Sequence, residues 1–440
     1  MKAINKAHAI LRRLHEAGHT AFLVGGCVRD MVMGLPVKDT DIATSARPDQ
    51  VQALFPRHVA IGAHFGVILV MDGDDSFEVA TFRADDRYID GRRPVSVRFV
   101  SAEEDVLRRD FTVNGLLYDV VQDRVIDHVN GLADIRNRIL RTIGPAEARF
   151  SEDKLRLLRA VRFAARLDFT IEPATFSAIG LLATRVTEVS CERIRDEILK
   201  MLMDPRPAAA LRLMRDTGLL AATLPEIAAM IGVAQPEAFH PEGDVFDHTL
   251  LMLNGFAALP PEEKNAVLAL AVLLHDVGKP DTFYQARDRI RFNNHPLVGR
   301  RITETLLKRL KLPNQTIQDV AECVDNHMNF INAKGMRQNT LKRFLRRPTF
   351  PAEMVLHRLD CQASHGDLEI YGFLLDQVAA LGKERISPPP LLTGKRLIEM
   401  GYTPGPGFKK ILTSVEDLQL EDKIRTQEEA ESYVRSTFPR

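Results

Sequence analysis

The chain has 440 residues, 45% hydrophobic and 27% charged, enough apolar material for several cores and unlike a disordered or fibrous protein. Lys plus Arg and Asp plus Glu are equal at 59 each, so any nucleic-acid site must be a local basic patch. The longest apolar run, 266–274, is far short of a bilayer span and the first residues lack a signal-peptide pattern, so no membrane partner is expected.

In chain order, residues 1–145 read as an α+β head. Residues 21–24 form a short apolar strand ending in Gly25-Gly26, and 28–33 continue as a helix. β-Rich runs at 67–71 and 77–82 flank a turn at 72–75. From residue 151 the pattern is helical, with Leu155, Leu158, Val161 and Ala165 recurring as one buried stripe. The Pro- and Gly-containing stretch 236–243 divides an all-α neck, 146–235, from a second all-α domain, 236–385. Prolines at 388–390 and the run 401–407 then punctuate a C-terminal tail, 386–440.

Asp39 and Asp41 stand two apart. On a strand, such residues share a face and aim both carboxylates at one point, where paired Mg²⁺ ions can serve phosphoryl transfer. The same pattern also occurs in solvated turns. Gly25-Gly26, between strand and helix, lets backbone N–H groups approach a phosphate closely, and Arg29 offers it a charged fork; an ordinary turn is the alternative. Glu78 is either a third carboxylate from a neighbouring strand or a plain exposed strand residue.

The ordered set GGCVRD (25–30), DTD (39–41), DGRRP (90–94) and RRDFTVNG (108–115) resembles the class II tRNA nucleotidyltransferases and poly(A) polymerases, of the DNA polymerase beta-type superfamily. The resemblance implies nucleotide contacts from Arg109 and Asp110, with Asn114 in support. The family usually has Ala where this chain has Gly115, a departure expected to affect backbone freedom more than chemistry. The resemblance also implies a mobile segment between the carboxylates and RRD, for which 84–100, with Arg92 and Arg93, has the length.

The stretch 152–162 bears on base choice. If Asp153, Arg156 and Arg159 lie on one helix, they form a polar stripe beside the buried one, either a surface ion-pair lattice or a reader of bases. An ionised Asp only accepts hydrogen bonds and Arg only donates. Cytosine and adenine present an amino donor beside a ring-nitrogen acceptor; guanine and uracil present the reverse. An Asp–Arg pair would therefore accept CTP and ATP and leave GTP and UTP mismatched. The family's EDxxR motif matches Glu152, Asp153 and Arg156, and places Arg159 and Arg162 near the nucleotide. Glu192 and Arg193 resemble its next motif, which braces the neck. Between 136 and 166 nine Lys/Arg face three acids, an excess that suits RNA if it gathers on one face.

Seven of the thirteen histidines fall between 240 and 365. A lone His on an apolar helix is usually a core residue, but His275-Asp276 with further His and Asp suits a hydrolytic transition-metal site. The run HDVGKP (275–280) resembles the HD phosphohydrolase superfamily. That implies ligands at His248, His275, Asp276 and Asp360, with His295 and His327 holding a second metal or a phosphate.

The expected protein is thus a CCA-adding tRNA nucleotidyltransferase, with Mg²⁺ at Asp39 and Asp41, a divalent transition metal at the HD site, and CTP, ATP and the tRNA 3′ end as partners. The alternatives are CC-only, A-only or poly(A) synthesis by the same head, an HD phosphohydrolase whose head only binds RNA, and a non-enzymatic tRNA-binding module. Four widely spaced cysteines without a CxxC pair point to a reducing cytoplasm.

Overall fold

A computed structural model describes residues 2–37, 39–62, 66–85, 97–236 and 243–439. The backbone divides into two compact units, Met1–Ala228 and Ala229–Arg440. The sequence-predicted DGRRP motif, most of the 84–100 segment with Arg92 and Arg93, and most of the 236–243 boundary with His240 lie outside the described residues.

In the first unit, strands β1 (Ala21–Val24), β2 (Asp41–Thr44), β3 (His58–Gly62), β4 (Val67–Asp72) and β5 (Asp75–Thr81) come first. β6 (Arg83–Asp85), β7 (Val97–Phe99), β8 (Leu116–Asp119) and β9 (Arg124–Asp127) follow. Seven of them form one mixed sheet in the order β3-β4-β5-β2-β1-β8-β9, while β6 and β7 pair separately. All four β1 residues are buried, as a central strand with apolar side chains on both faces requires. β1 runs antiparallel to β2, with Val24 opposite Asp41, whereas β2 and β5 are parallel, with Ile42 opposite Val79. The Gly-Gly turn after β1 and the start of β2 therefore share one sheet end, and one step back along the parallel pair sets Asp41 beside Glu78.

Gly25 sits at φ 76°, a left-handed conformation that only glycine adopts without strain, and the helix Gly26–Val32 starts directly after it. Gly115 behaves otherwise than expected. Its φ is −91°, open to any residue, but a Cβ there would lie 2.7 Å from Val129 Cγ2 and 3.1 Å from Ile143 Cδ1. Space, not backbone freedom, calls for glycine.

The neck is helical. Leu155, Leu158, Val161 and Ala165 are buried along the helix Leu155–Leu167, which packs against Cys191–Met203 and Pro207–Asp216. One expectation is corrected: Asp153 is not on this helix. It ends the preceding helix, Ala146–Glu152, in an extended conformation (φ −138°, ψ 105°). Its Oδ1 accepts a hydrogen bond from the Leu155 N–H at 3.1 Å, so the carboxylate holds the break between the helices open.

Among the described residues, the regular structure of the second unit is helical apart from one hairpin, Phe283–Gln285 with Ile290–Phe292. The fully apolar helix Ala266–Leu274 lies at its centre against Val245–Ala258, Asn314–Asn326 and Phe350–Ala363. Helices Gly394–Glu399, Pro406–Leu420 and Gln427–Thr437 close over a separate small core that includes Leu397, Ile411, Val415 and Val434. No helix among the described residues is long and apolar enough to cross a membrane.

Candidate functional site

Asp41 opens β2, and Asp39 lies just before it, exposed and outside the strand. Reduced hydration raises the Asp41 carboxyl above its usual range, and the charges of Glu78 and Asp39 push the same way against Arg109. Three carboxylates thus share one field with a single guanidinium. Such an arrangement is costly without a cation, and an all-oxygen donor set suits Mg²⁺.

Arg109 joins the carboxylates to the glycine turn. Its Nη1 is 3.3 Å from where a Gly25 Cβ would stand, and its Nη2 donates to Asp105 Oδ2 at 2.9 Å. Buried Asp105 also accepts from Arg108 at 2.7 Å, so one carboxylate orients both arginines.

Asp110 organises a network that reaches the glycine turn through Asn114 and Arg29. Its Oδ2 accepts two bonds from Arg159, at 2.9 and 2.6 Å, and its Oδ1 accepts from the Asn114 amide at 3.0 Å and the Phe111 N–H at 2.8 Å. Burial alone would raise this carboxyl, but Arg159 and those donors hold it down at about 2.

Arg29 does not sit as a free phosphate fork. It is 2% exposed and donates twice to Asp30 Oδ1, at 2.8 and 2.7 Å, and once to Asn114 Oδ1 at 2.6 Å. A guanidinium so committed braces the glycine turn from behind. Arg162 is likewise buried, donating to Glu197 Oε2 at 2.7 Å.

Asp153 and Arg156 lie at the helix break, where the Arg156 N–H donates to the Asp153 carbonyl at 3.0 Å. Arg156 Nη1 donates to Glu152 at 2.8 Å and to the Arg149 carbonyl at 3.1 Å, and its Nη2 to the Arg108 carbonyl at 3.0 Å. Arg193 Nη2 donates to Asp153 Oδ2 at 2.8 Å. Sequence reasoning treated Arg193 only as a brace of the neck. Forty positions separate it from Asp153, and no periodicity links them.

The basic stretch 136–166 is threaded with ion pairs. Eight of its nine cations (all but Arg136) have an acidic partner within 4.0 Å. Several partners, among them Asp110, Glu188 and Glu197, lie outside the counted window, while Glu152 serves both Arg149 and Arg156, so the surplus is reduced and not removed.

In the second unit the predicted histidines and aspartates converge. Ligand atoms of His248, His275 and Asp276 lie within 4.8 Å of one another, as do those of Asp276, His295 and His327. His248 Nε2 is 3.2 Å from Asp360 Oδ1, and His295 Nε2 is 3.1 Å from His327 Nε2. Buried His275 Nε2 has no aligned hydrogen bond, although Asp276 Oδ2 is 3.1 Å away, leaving a lone pair directed into the cluster. Burial, reinforced by His295, lowers His327 to about 3 and keeps it in the neutral form that ligates metals. Asp276, common to both groups, is held far below its usual range against its burial by His275 and Lys279. The imidazole and carboxylate donors of these two groups, which share Asp276, could hold a metal ion. Sequence reasoning missed Lys279, which donates to Asp276 at 2.7 Å and to Gln235 at 2.6 Å; its place one helical turn after Asp276 was the available signal.

Comparison with known proteins agrees with this layout. Residues 21–141 match the poly A polymerase head domain, 168–231 the probable RNA and SrmB-binding site of polymerase A, and 245–361 the HD domain. The CCA-adding enzymes of Streptococcus pyogenes serotype M2 (strain MGAS10270) and Streptococcus uberis (strain ATCC BAA-854 / 0140J) are 47% and 48% identical over 201 residues. That match covers 46% of this chain and 50% of each relative, so the chain spans about half the length of the curated relatives it matches. Among solved structures, the Bacillus stearothermophilus CCA-adding enzyme in complex with CTP is 28% identical, with a TM-score of 0.75 and 98% of both chains covered. The Thermotoga maritima CCA-adding enzyme complexed with tRNA shares the fold at 19% identity and a TM-score of 0.60, over 99% of this chain and 95% of that one. The chain thus carries, in this order, a poly A polymerase head domain, a probable RNA-binding site of polymerase A and an HD domain, and over these regions it is similar to CCA-adding enzymes.

Proposed function

We propose that the protein is a CTP(ATP):tRNA nucleotidyltransferase that builds or repairs the 3′-terminal CCA of tRNA in the cytoplasm without a nucleic-acid template. The observation that carries this reading is the shared field of Asp39, Asp41, Glu78 and Arg109 at the sheet end that also bears the glycine turn. Asp39, Asp41 and Glu78 would hold Mg²⁺, which when bound neutralises triphosphate charge and favours ionisation of the attacking ribose hydroxyl. The backbone N–H of Gly26, with Arg109, holds the triphosphate, while the Gly25 N–H donates to the Leu116 carbonyl at 3.2 Å and fixes the turn to the sheet. Arg29, Asn114, Asp110 and Arg159 keep that turn rigid, so positioning and fixed charge supply most of the catalysis.

Asp153 and Arg156 read the base. The three hydrogen bonds of Arg156 use three of its five donors, leaving Nε–H and one Nη2–H for the acceptor nitrogen of cytosine or adenine. Asp153 accepts from the exocyclic amine. The division of labour is head 1–145, neck 146–235, HD domain 236–385 and tail 386–440. The paired clusters around Asp276 support an additional metal-dependent phosphohydrolase activity in the HD domain.

The test uses tRNA transcripts ending before the first C, the second C or the terminal A, each with labelled CTP or ATP. Three defined additions are expected. A long A-ladder would make the protein a poly(A) polymerase, and stopping after two additions a CC-adding enzyme.

A further inference from the structure

We infer that the outer face of the hairpin Phe283–Gln285/Ile290–Phe292 is a docking platform for single-stranded RNA in the second unit. The strands pair with Phe283 opposite Phe292 and Tyr284 opposite Arg291, and the ladder continues as Ala286 N–H donates to the Arg289 carbonyl at 3.1 Å. Side chains alternate across a ribbon, so the two faces have separate compositions.

One face meets the HD cluster through the half-buried Phe292, while Phe283 on the same face stays 44% exposed. The Phe292 ring is 6.0 Å from that of Phe283 and 6.4 Å from the His295 ring, and Lys279 Nζ stands 5.3 Å from its centroid. The Phe292 carbonyl is 2.9 Å from His295 Nδ1, which fastens the hairpin to the HD cluster. The other face carries Tyr284, Arg289 and Arg291. Tyr284 is 61% exposed and pairs across the ribbon with Arg291. Arg291 has only a surface partner, Asp288 at 2.8 Å, which a phosphate can displace at little cost.

A two-stranded ribbon has little stability of its own, and an exposed ring adds nothing to it. Charge alone would equally serve an acidic peptide. The open ring beside two arginines favours an RNA strand, whose bases stack on the aromatic while its phosphates meet the guanidinium groups. The choice of RNA as occupant rests on the tRNA substrate proposed above.

The test uses the full-length protein, a 4-thiouridine-containing single-stranded RNA with photocrosslinking and peptide mapping, and fluorescence anisotropy for affinity. Crosslinks are expected within 279–291. Tyr284→Ala should weaken binding about tenfold and Tyr284→Phe should leave it near normal, because stacking needs the ring and not the hydroxyl. Arg289→Gln with Arg291→Gln should reduce the slope of log affinity against log salt by about 1.4, the value for two phosphates of a single strand. Crosslinks confined to Met1–Ala228 with unchanged affinity of Tyr284→Ala would overturn the inference. So would equal displacement of a polyglutamate probe and RNA by all three variants. CTP incorporation measured in parallel separates the two readings: hairpin crosslinks without incorporation would sink the proposed activity and leave the platform standing.

Discussion

Arg193 Nη2 donates to Asp153 Oδ2 at 2.8 Å, while Asp153 Oδ1 accepts from the Leu155 N–H at 3.1 Å. The carboxylate assigned to base reading is thus held at both oxygens by groups from two helices. Replacing Arg193 by Met removes one restraint and leaves the turn intact. The preference for CTP over UTP, measured as a ratio of kcat/KM, should fall by at least about tenfold, the scale of one positioned charged hydrogen bond. Arg193→Lys should recover part of it. Unchanged discrimination in Arg193→Met would show that Asp153 needs no such support.

Asp41 gives a prediction of opposite sign for stability and activity. A carboxyl whose folded pKa is raised weakens the metal-free fold at neutral pH, and that penalty disappears as pH falls through the raised value. Asp41→Asn should therefore melt higher than the parent at pH 7 in EDTA, with the difference closing on acidification. The same substitution should abolish nucleotide incorporation. Calorimetry and the incorporation assay read the two effects, and an unchanged turnover would refute the metal assignment.

Asp110 behaves in the reverse way. Held at about 2 against an ordinary 3.8, it contributes stability that is full above about pH 4 and is lost as pH falls from 4 towards 2. The shift corresponds to about 2 kcal/mol. Asp110→Asn should lower the urea unfolding free energy by about that amount at pH 7, with parent and variant converging near pH 2. Equal stability at pH 7 would mean that Arg159 finds another partner.

Gly278 controls the HD cluster through space. A Cβ there would stand 2.2 Å from the His295 carbonyl oxygen and 2.6 Å from the Gly299 N, although its φ of −85° suits any residue. Gly278→Ala must push the His295–Arg309 helix away from His275 and Asp276. Binding of Mn²⁺ or Zn²⁺, followed by calorimetry, should weaken about 10- to 100-fold, the cost of displaced ligand support. Tight binding in the variant would show that His295 is not a ligand.

The sequence by itself picked out the residues whose types suit the proposed chemistry. The glycine pair, the spaced aspartates, EDxxR and HDVGKP are local strings whose residue types restrict what they can do. The buried stripe of Leu155, Leu158, Val161 and Ala165 was likewise readable, because helical periodicity is a property of neighbours in the chain. Tertiary structure decided the partners. Only the fold reveals that Arg29 is spent on Asp30 and Asn114, that Asp153 leaves the helix and meets Arg193, and that distant acids partly offset the basic stretch of the neck. Gly115 makes the same point by volume, since Val129 and Ile143 fill the place of a side chain. Most of these hydrogen bonds, ion pairs and volume conflicts act over a few ångströms of space between residues tens of positions apart, so no local pattern in the chain encodes them.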